Sequence, residues 1–141
     1  METSAVRRGV LETIERAKRT AAERRARSDE AAQAYPEFLQ QIAIPLVRQL
    51  AGALKASGYA FGVFTPGGSV RLASERVSED YIELSLDTSG DAPVVLGHVG
   101  RARGRRIIET ERPIATGPIA DLSEHQVLDF FLKELEPFVE R

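Results

Sequence analysis

Apolar and polar residues alternate in five short segments between residues 59 and 114, a period that is typical of β-strands. The segments lie near 60–65, 69–76, 81–87, 94–101 and 105–112, and turn-forming residues separate them. In the clearest segment, three apolar side chains alternate with Glu83, Ser85 and Asp87, which predicts a half-buried strand with one wet face. All four connections are short, whereas parallel strands need crossovers of about a dozen residues or more. We therefore predict an antiparallel meander.

The N-terminal third of the chain has a helical period instead. Over residues 1–35, apolar side chains recur every three or four positions at Val6, Val10, Ile14, Ala17 and Ala21. About 30 helical residues would reach roughly 45 Å, which is longer than a domain of this size is wide. Three interpretations follow: the helix covers the sheet with its first half, it projects and pairs with a partner chain, or it is frayed or disordered.

Residues 36–58 predict a second helix, the most apolar in the chain and therefore a buried one. Pro36 is expected to end or bend the first helix and to begin the second, and Gly58 is expected to cap the second helix. Pro45 lies inside this helix, where a proline removes a backbone hydrogen bond, so we expect a kink near residues 41–44.

The last predicted helix covers residues 122–138. Ser123 followed by Gln126 matches a capping box, and Leu122 with Val127 supplies the flanking hydrophobic staple. A bulky apolar stripe then predicts that this helix packs on the sheet, and Pro137 is expected to end or bend it near residue 136.

Together these elements predict one α+β domain over residues 1–141. It has two N-terminal helices, a five-stranded antiparallel meander and a C-terminal helix on the same sheet face as the second helix. Gly97 and Gly100 lie within the fourth strand, where glycine often marks a bulge or a sharp bend.

Composition narrows the function classes. The absence of cysteine excludes disulfides, thiolate metal sites and cysteine nucleophiles. The longest nearly apolar run, residues 42–47, is too short to cross a bilayer, and the first ten residues lack the apolar core of a signal peptide. We therefore expect a cytoplasmic protein without a membrane partner. The net charge is −2, but residues 101–112 carry +3 and residues 121–141 carry −4.

No motif in the chain indicates catalysis. The wet-face carboxylates Glu83 and Asp87 would lie about 13 Å apart along a strand, too far to share a proton or to act as a glycosidase pair. His98 in the fourth strand and His125 in the last helix lack the companions of a metal site. Phosphate-binding and dinucleotide fingerprints are missing from the sequence, and so is a nucleophile elbow. We expect no catalytic residues, no cofactor and no metal.

The remaining candidate is a cluster of arginines in the predicted turn between the last two strands: Arg101, Arg103, Arg105 and Arg106. Guanidinium groups bind phosphates through paired hydrogen bonds. The cluster is interpreted as a solvated or internally paired turn, as a contact for an acidic protein, or as a site for nucleic acid or another polyanion.

The leading functional hypothesis is a non-enzymatic, cytoplasmic protein-interaction module of adaptor or chaperone-like type that forms a homodimer and binds an unidentified protein partner. Its contacts are expected on the first helix, on a sheet edge, or on the wet face of Glu83, Ser85 and Asp87. The alternative is a polyanion- or nucleic-acid-binding protein that uses the arginine hairpin at 101–106.

Overall fold

The computed structural model describes residues 1–140 of the chain, and they form three helical elements around one sheet. The N-terminal region comprises α1 (Thr3–Phe38), a π-helical turn (Leu39–Ala43) and α2 (Ile44–Ala56). The strands are β1 (Phe61–Phe64), β2 (Val70–Ser74), β3 (Tyr81–Asp87), β4 (Val94–Arg103) and β5 (Arg106–Pro113). A short 3₁₀ turn (Ile119–Asp121) leads into α3 (Glu124–Val139). None of the helices in residues 1–140 is both long enough and apolar enough to cross a membrane.

The two predicted N-terminal helices are joined into one. The expected break at Pro36 is wrong, because helical geometry continues through it into the π-turn and α2. Proline removes one hydrogen bond, but Tyr35 and Phe38 on either side are only 5% and 4% exposed, so packing holds the helix together. The π-turn lies directly before Pro45, where a regular α-helix would press a carbonyl against the proline ring. The predicted disturbance near residues 41–44 is therefore found as a π-turn.

The sheet is the predicted meander, with strand order β1-β2-β3-β4-β5 and antiparallel pairing throughout. The expected bulge in β4 is wrong: both of its ladders run without interruption, from Tyr81 opposite Gly100 to Asp87 opposite Val94 on one side. The two glycines have a packing role instead. A Cβ atom on Gly97 would lie 2.2 Å from the ring of Phe130, and one on Gly100 would lie 2.2 Å from the ring of Tyr81.

One face of the sheet carries the core. Leu72, Ile82 and Leu84 are fully buried there, beneath α2 and α3, which pack on this same face as predicted. The rings of Phe61 on β1 and Phe138 on α3 meet edge to face at 6.1 Å. Among the described residues, no helix packs on the opposite face of the sheet, which we call the open face. Edge strand β5 has no buried residue.

The start of α3 confirms the capping box. The Ser123 side chain accepts a hydrogen bond from the Gln126 backbone, and the Gln126 side chain accepts one from the Ser123 backbone at 2.9 Å. The predicted end near residue 136 is wrong, since the helix passes through Pro137 to Val139. Phe138 is 5% exposed, and its burial holds the last turn in helical form despite the proline.

Candidate functional site

The N-terminal part of α1 extends away from the rest of the protein. Side chains are exposed at every position from 3 to 20 and from 22 to 27, and the first buried residue of the helix is Ala31. We call residues 3–27 the arm and residues 28–141 the body. At about 1.5 Å per residue the arm is roughly 37 Å long. Its base is held by Arg24, which pairs with Asp91 at 3.0 Å, and by Arg27, which donates to the Asp91 carbonyl at 3.4 Å. The arm therefore projects, and it does not cover the sheet.

The apolar seam of the arm has no partner in the described residues. Val6, Val10 and Ile14 are 51%, 52% and 45% exposed. Steps of three and four residues continue this helix face past the polar Arg24 and Ser28 to the buried Ala31 and Tyr35. The helix face that packs into the body at one end is thus the face that stands open at the other. An open apolar seam of this kind is typical of a helix that binds another chain.

Charge separates the arm from the body. The arm holds eight basic and three acidic residues, a net charge of +5, whereas the body holds eleven basic and seventeen acidic residues, a net charge of −6. The near-neutral total conceals this division.

The open face carries a ladder of polar side chains across β2, β3 and β5. Arg71 donates to Glu83 at 3.0 Å and also lies over the Tyr81 ring, 4.1 Å from its centroid. Partial burial, followed by the charge of Glu109, raises the pKa of the Tyr81 hydroxyl, and Arg71 opposes this effect. Glu83 also accepts from Ser69 at 3.3 Å. The predicted polar face is therefore partly exposed to solvent. The charges of Arg71 and Glu83 on this face are paired with each other.

The third wet-face residue, Asp87, lies at the end of β3. It accepts hydrogen bonds from the side chain and backbone of Ser89 at 2.6 and 2.9 Å, and these lower the pKa of the Asp87 carboxyl. This is a turn-stabilising contact at the start of the β3–β4 loop.

Next to this ladder lies a group that the sequence interpretation missed. The Nε2 atom of His98 is 3.1 Å from the Ser85 hydroxyl, and its Nδ1 atom is 3.1 Å from the Glu111 carboxylate. A serine, a histidine and an acid in this order resemble a nucleophilic triad. The register that brings His98 opposite Glu111 follows from a turn at Gly104 and Arg105. The turn predicted from the sequence lay earlier and would have placed His98 opposite residue 108.

Neither Ser85 nor His98 lines any of the five main surface concavities in residues 1–140. Glu111 lines one of them, together with Val99, Arg112 and Glu134. An oxyanion must be met by preorganised donors, yet strand N–H groups lie in the plane of the sheet while the Ser85 hydroxyl stands above it. The guanidinium of Arg71, on the same face, is held by Glu83. The contacts of His98 with Ser85 and Glu111 link β3, β4 and β5.

The predicted arginine hairpin is present, with its turn one residue later than expected. Gly104 and Arg105 form a two-residue turn, with Gly104 at φ +63°. Arg101, Arg103 and Arg106 fall on the same side of the sheet by register. These three arginines lie near the tip of the hairpin. Arg112, further from the tip on β5, forms an ion pair with Glu134 of α3.

None of the four hairpin arginines forms an ion pair within residues 1–140, and three of the four are exposed. The hairpin is fixed near its tip by Asp80, which is 4% exposed and accepts a hydrogen bond from the Ala102 N–H at 2.8 Å. The hairpin is thus a positioned, positively charged surface at the opposite end of the sheet from the β3–β4 loop.

In the described part of the chain, neither histidine belongs to a group of three or more potential metal ligands. No such group is found elsewhere in residues 1–140 either. His125 is exposed in the first turn of α3, and the Gly97–Gly100 segment lies in the middle of β4, where it forms no phosphate-binding loop.

Comparison with known proteins found no matching family model, no similar curated protein and no similar solved structure.

Proposed function

We propose that this protein is a cytoplasmic, non-enzymatic interaction module that forms a homodimer through its arm and works as an adaptor or a chaperone-like protein. The observation that carries the proposal is the open seam of Val6, Val10 and Ile14 on a helix that projects roughly 37 Å from the body. Exposed apolar seams on soluble proteins mark surfaces that bind other chains. The body supplies a rigid base, because the same helix face enters the core at Ala31 and Tyr35.

The oligomeric mass of the full chain tests this proposal. Sedimentation velocity over a range of concentrations is expected to give twice the 15.5 kDa chain mass. The double variant Val10→Glu with Ile14→Glu places two charges on the seam. Burying each aliphatic side chain is worth about 1.5–3 kcal/mol, so this variant is expected to be monomeric.

The matched control keeps the charge change and moves it around the helix. Ala5 and Ala22 are exposed on the other side of the arm, and the double variant Ala5→Glu with Ala22→Glu is expected to remain a dimer. A full chain that is monomeric at all concentrations would contradict the proposal. Equal loss of the dimer in both variants would show that charge alone, and no seam contact, decides association.

A second candidate function is the binding of nucleic acid or another polyanion. It is favoured by the hairpin, where Arg101, Arg103 and Arg106 share one side of the sheet and form no ion pair within residues 1–140. Binding to mixed DNA and RNA is measured at two salt concentrations, because contacts with phosphates release counterions and weaken as salt rises. Salt-sensitive binding that Arg103→Ala with Arg105→Ala removes would support this function. Binding that is absent, or that this variant leaves unchanged, would exclude it.

A further inference from the structure

The charge division argues against a dimer in which the two arms simply lie side by side. Each arm carries +5, so two adjacent arms repel, whereas each arm is attracted to a body that carries −6. Charge therefore favours contact between the arm of one copy and the body of another.

The outer side of α3 has the character that such a contact needs. Its inner side chains, among them Val127, Phe131 and Leu135, are buried in the core. Its outer ridge carries Leu132, which is 52% exposed, between the exposed acids Asp129 and Glu136. Residues 121–141 as a whole carry −4. Leu132 and the two acidic residues beside it are thus exposed to solvent on α3, whose opposite side is packed into the core.

The arm carries the complementary pattern at the same spacing. On the arm, Lys18 lies three residues before Ala21 and Arg25 lies four residues after it. On α3, Asp129 lies three residues before Leu132 and Glu136 lies four residues after it. On α-helices both charged pairs are therefore separated by about 10 Å. Ala21 and its seam neighbour Ala17 are small, and small residues leave the hole that a leucine from a facing helix fills. The arm is also longer than α3, which at 16 residues spans about 24 Å.

We propose that, in the homodimer proposed above, the arm of each protomer packs on the outer side of α3 of the second copy. Leu132 inserts against Ala17 and Ala21, while Lys18 and Arg25 meet Asp129 and Glu136. A two-fold axis repeats this contact, so each protomer both gives an arm and receives one. The exchange covers the part of the seam around Ala17 and Ala21 and neutralises opposite charges in one step.

Charge reversal in the full-length chain tests the contact. Lys18→Glu with Arg25→Glu, and separately Asp129→Lys with Glu136→Lys, should each raise the dimer dissociation constant about ten-fold or more, since two ion pairs are lost at each of two contacts. The variant that combines all four changes restores opposite charges and is expected to recover dimerisation to within about three-fold of the native value. Leu132→Asp is expected to give a monomer, and circular dichroism checks that each variant is folded.

The matched control reverses two other arm charges, Arg8→Glu with Arg16→Glu, which face away from the seam and change the net charge equally. It should weaken the dimer much less than Lys18→Glu with Arg25→Glu.

Any of three results would refute the arm exchange. The control variant weakens the dimer as much as Lys18→Glu with Arg25→Glu does; the variant with all four substitutions fails to restore dimerisation; or Leu132→Asp leaves the dimer intact. If Val10→Glu with Ile14→Glu still abolishes the dimer in these cases, the arm-mediated dimer stands and only its seat on α3 is refuted. A native chain that is monomeric throughout refutes both.

Discussion

Replacing Gly97 by alanine should destabilise the protein, because the helix layer rests directly on this glycine. An added Cβ atom would lie 2.2 Å from the nearest ring atom of Phe130. Carbon atoms pack at about 3.5–4.0 Å, so the ring must retreat by more than about 1 Å. Phe130 is 8% exposed and lies edge to face against Phe131 at 5.9 Å, so it has little room to move.

The magnitude follows from two opposed effects. Overpacking of a well-filled core costs about 1–3 kcal/mol. Alanine in place of glycine within a strand returns about 0.5–1 kcal/mol, because the unfolded chain loses less conformational freedom. The net expectation is a loss of about 1–2 kcal/mol, which for a chain of this length lowers the melting temperature by about 3–6 °C.

Gly100→Ala is the matched control. It lies three residues further along the same strand, and its added Cβ atom would also lie 2.2 Å from an aromatic ring, that of Tyr81. That ring is on the open face and can swing towards solvent, at the cost of its contact with Arg71. Such an exposed cation–π contact is worth about 0.5–1 kcal/mol, so the gain from alanine roughly cancels it.

Urea denaturation followed by circular dichroism, at one fixed chain concentration, measures both variants. If Gly97→Ala is as stable as the native protein, or if Gly100→Ala is equally destabilised, the packing argument is refuted.

Three further predictions concern other parts of the molecule. Ser123→Ala should cost about 1 kcal/mol in the same urea assay, because it removes the cap of α3, and a cost near zero would contradict the capping argument. Burial, followed by the nearby Glu83 carboxylate, raises the pKa of Tyr35 to about 12 from 10.0; because the unfolded chain releases this proton first, stability should fall as pH rises from 10 towards 12. In Tyr35→Phe this part of the alkaline loss should be absent, and an identical pH profile would refute it. Ser85 should not react with a fluorophosphonate probe, and labelling that His98→Ala abolishes would refute the non-enzymatic proposal.

The sheet could be predicted from the sequence because each strand is indicated by its own residues and by the turn residues next to it. Alternation in 81–87 and turn residues between the segments gave all five strands and their order, and β3 has the predicted bounds. The capping box at Ser123 is likewise a signal contained within four residues. Such features need no knowledge of what packs against them.

The errors arise where tertiary packing outweighs a local preference. Pro36 and Pro137 disfavour a helix locally, but the helix passes through both because neighbouring aromatic side chains are buried. The glycines of β4 suggested a bulge, whereas they make room for rings that arrive from distant parts of the chain. The same limit applies to the site: the contact of His98 with Ser85 spans 13 residues and depends on strand register.

The unbroken run from α1 through the π-turn into α2 has a consequence for how the arm is kept helical. Starting a helix is costly, because several residues must be ordered before the first hydrogen bond forms, and isolated helices of modest length are marginal in water. Here the nucleus already exists in the buried turn around Tyr35, so the arm grows from it one hydrogen bond at a time. The other end has no such support: the capping position Glu2 makes no side-chain cap, and the first turn holds no acidic residue. In the monomeric chain, unwinding should therefore proceed from the tip towards the body, and amide exchange should slow steadily from Val6 to Ala31.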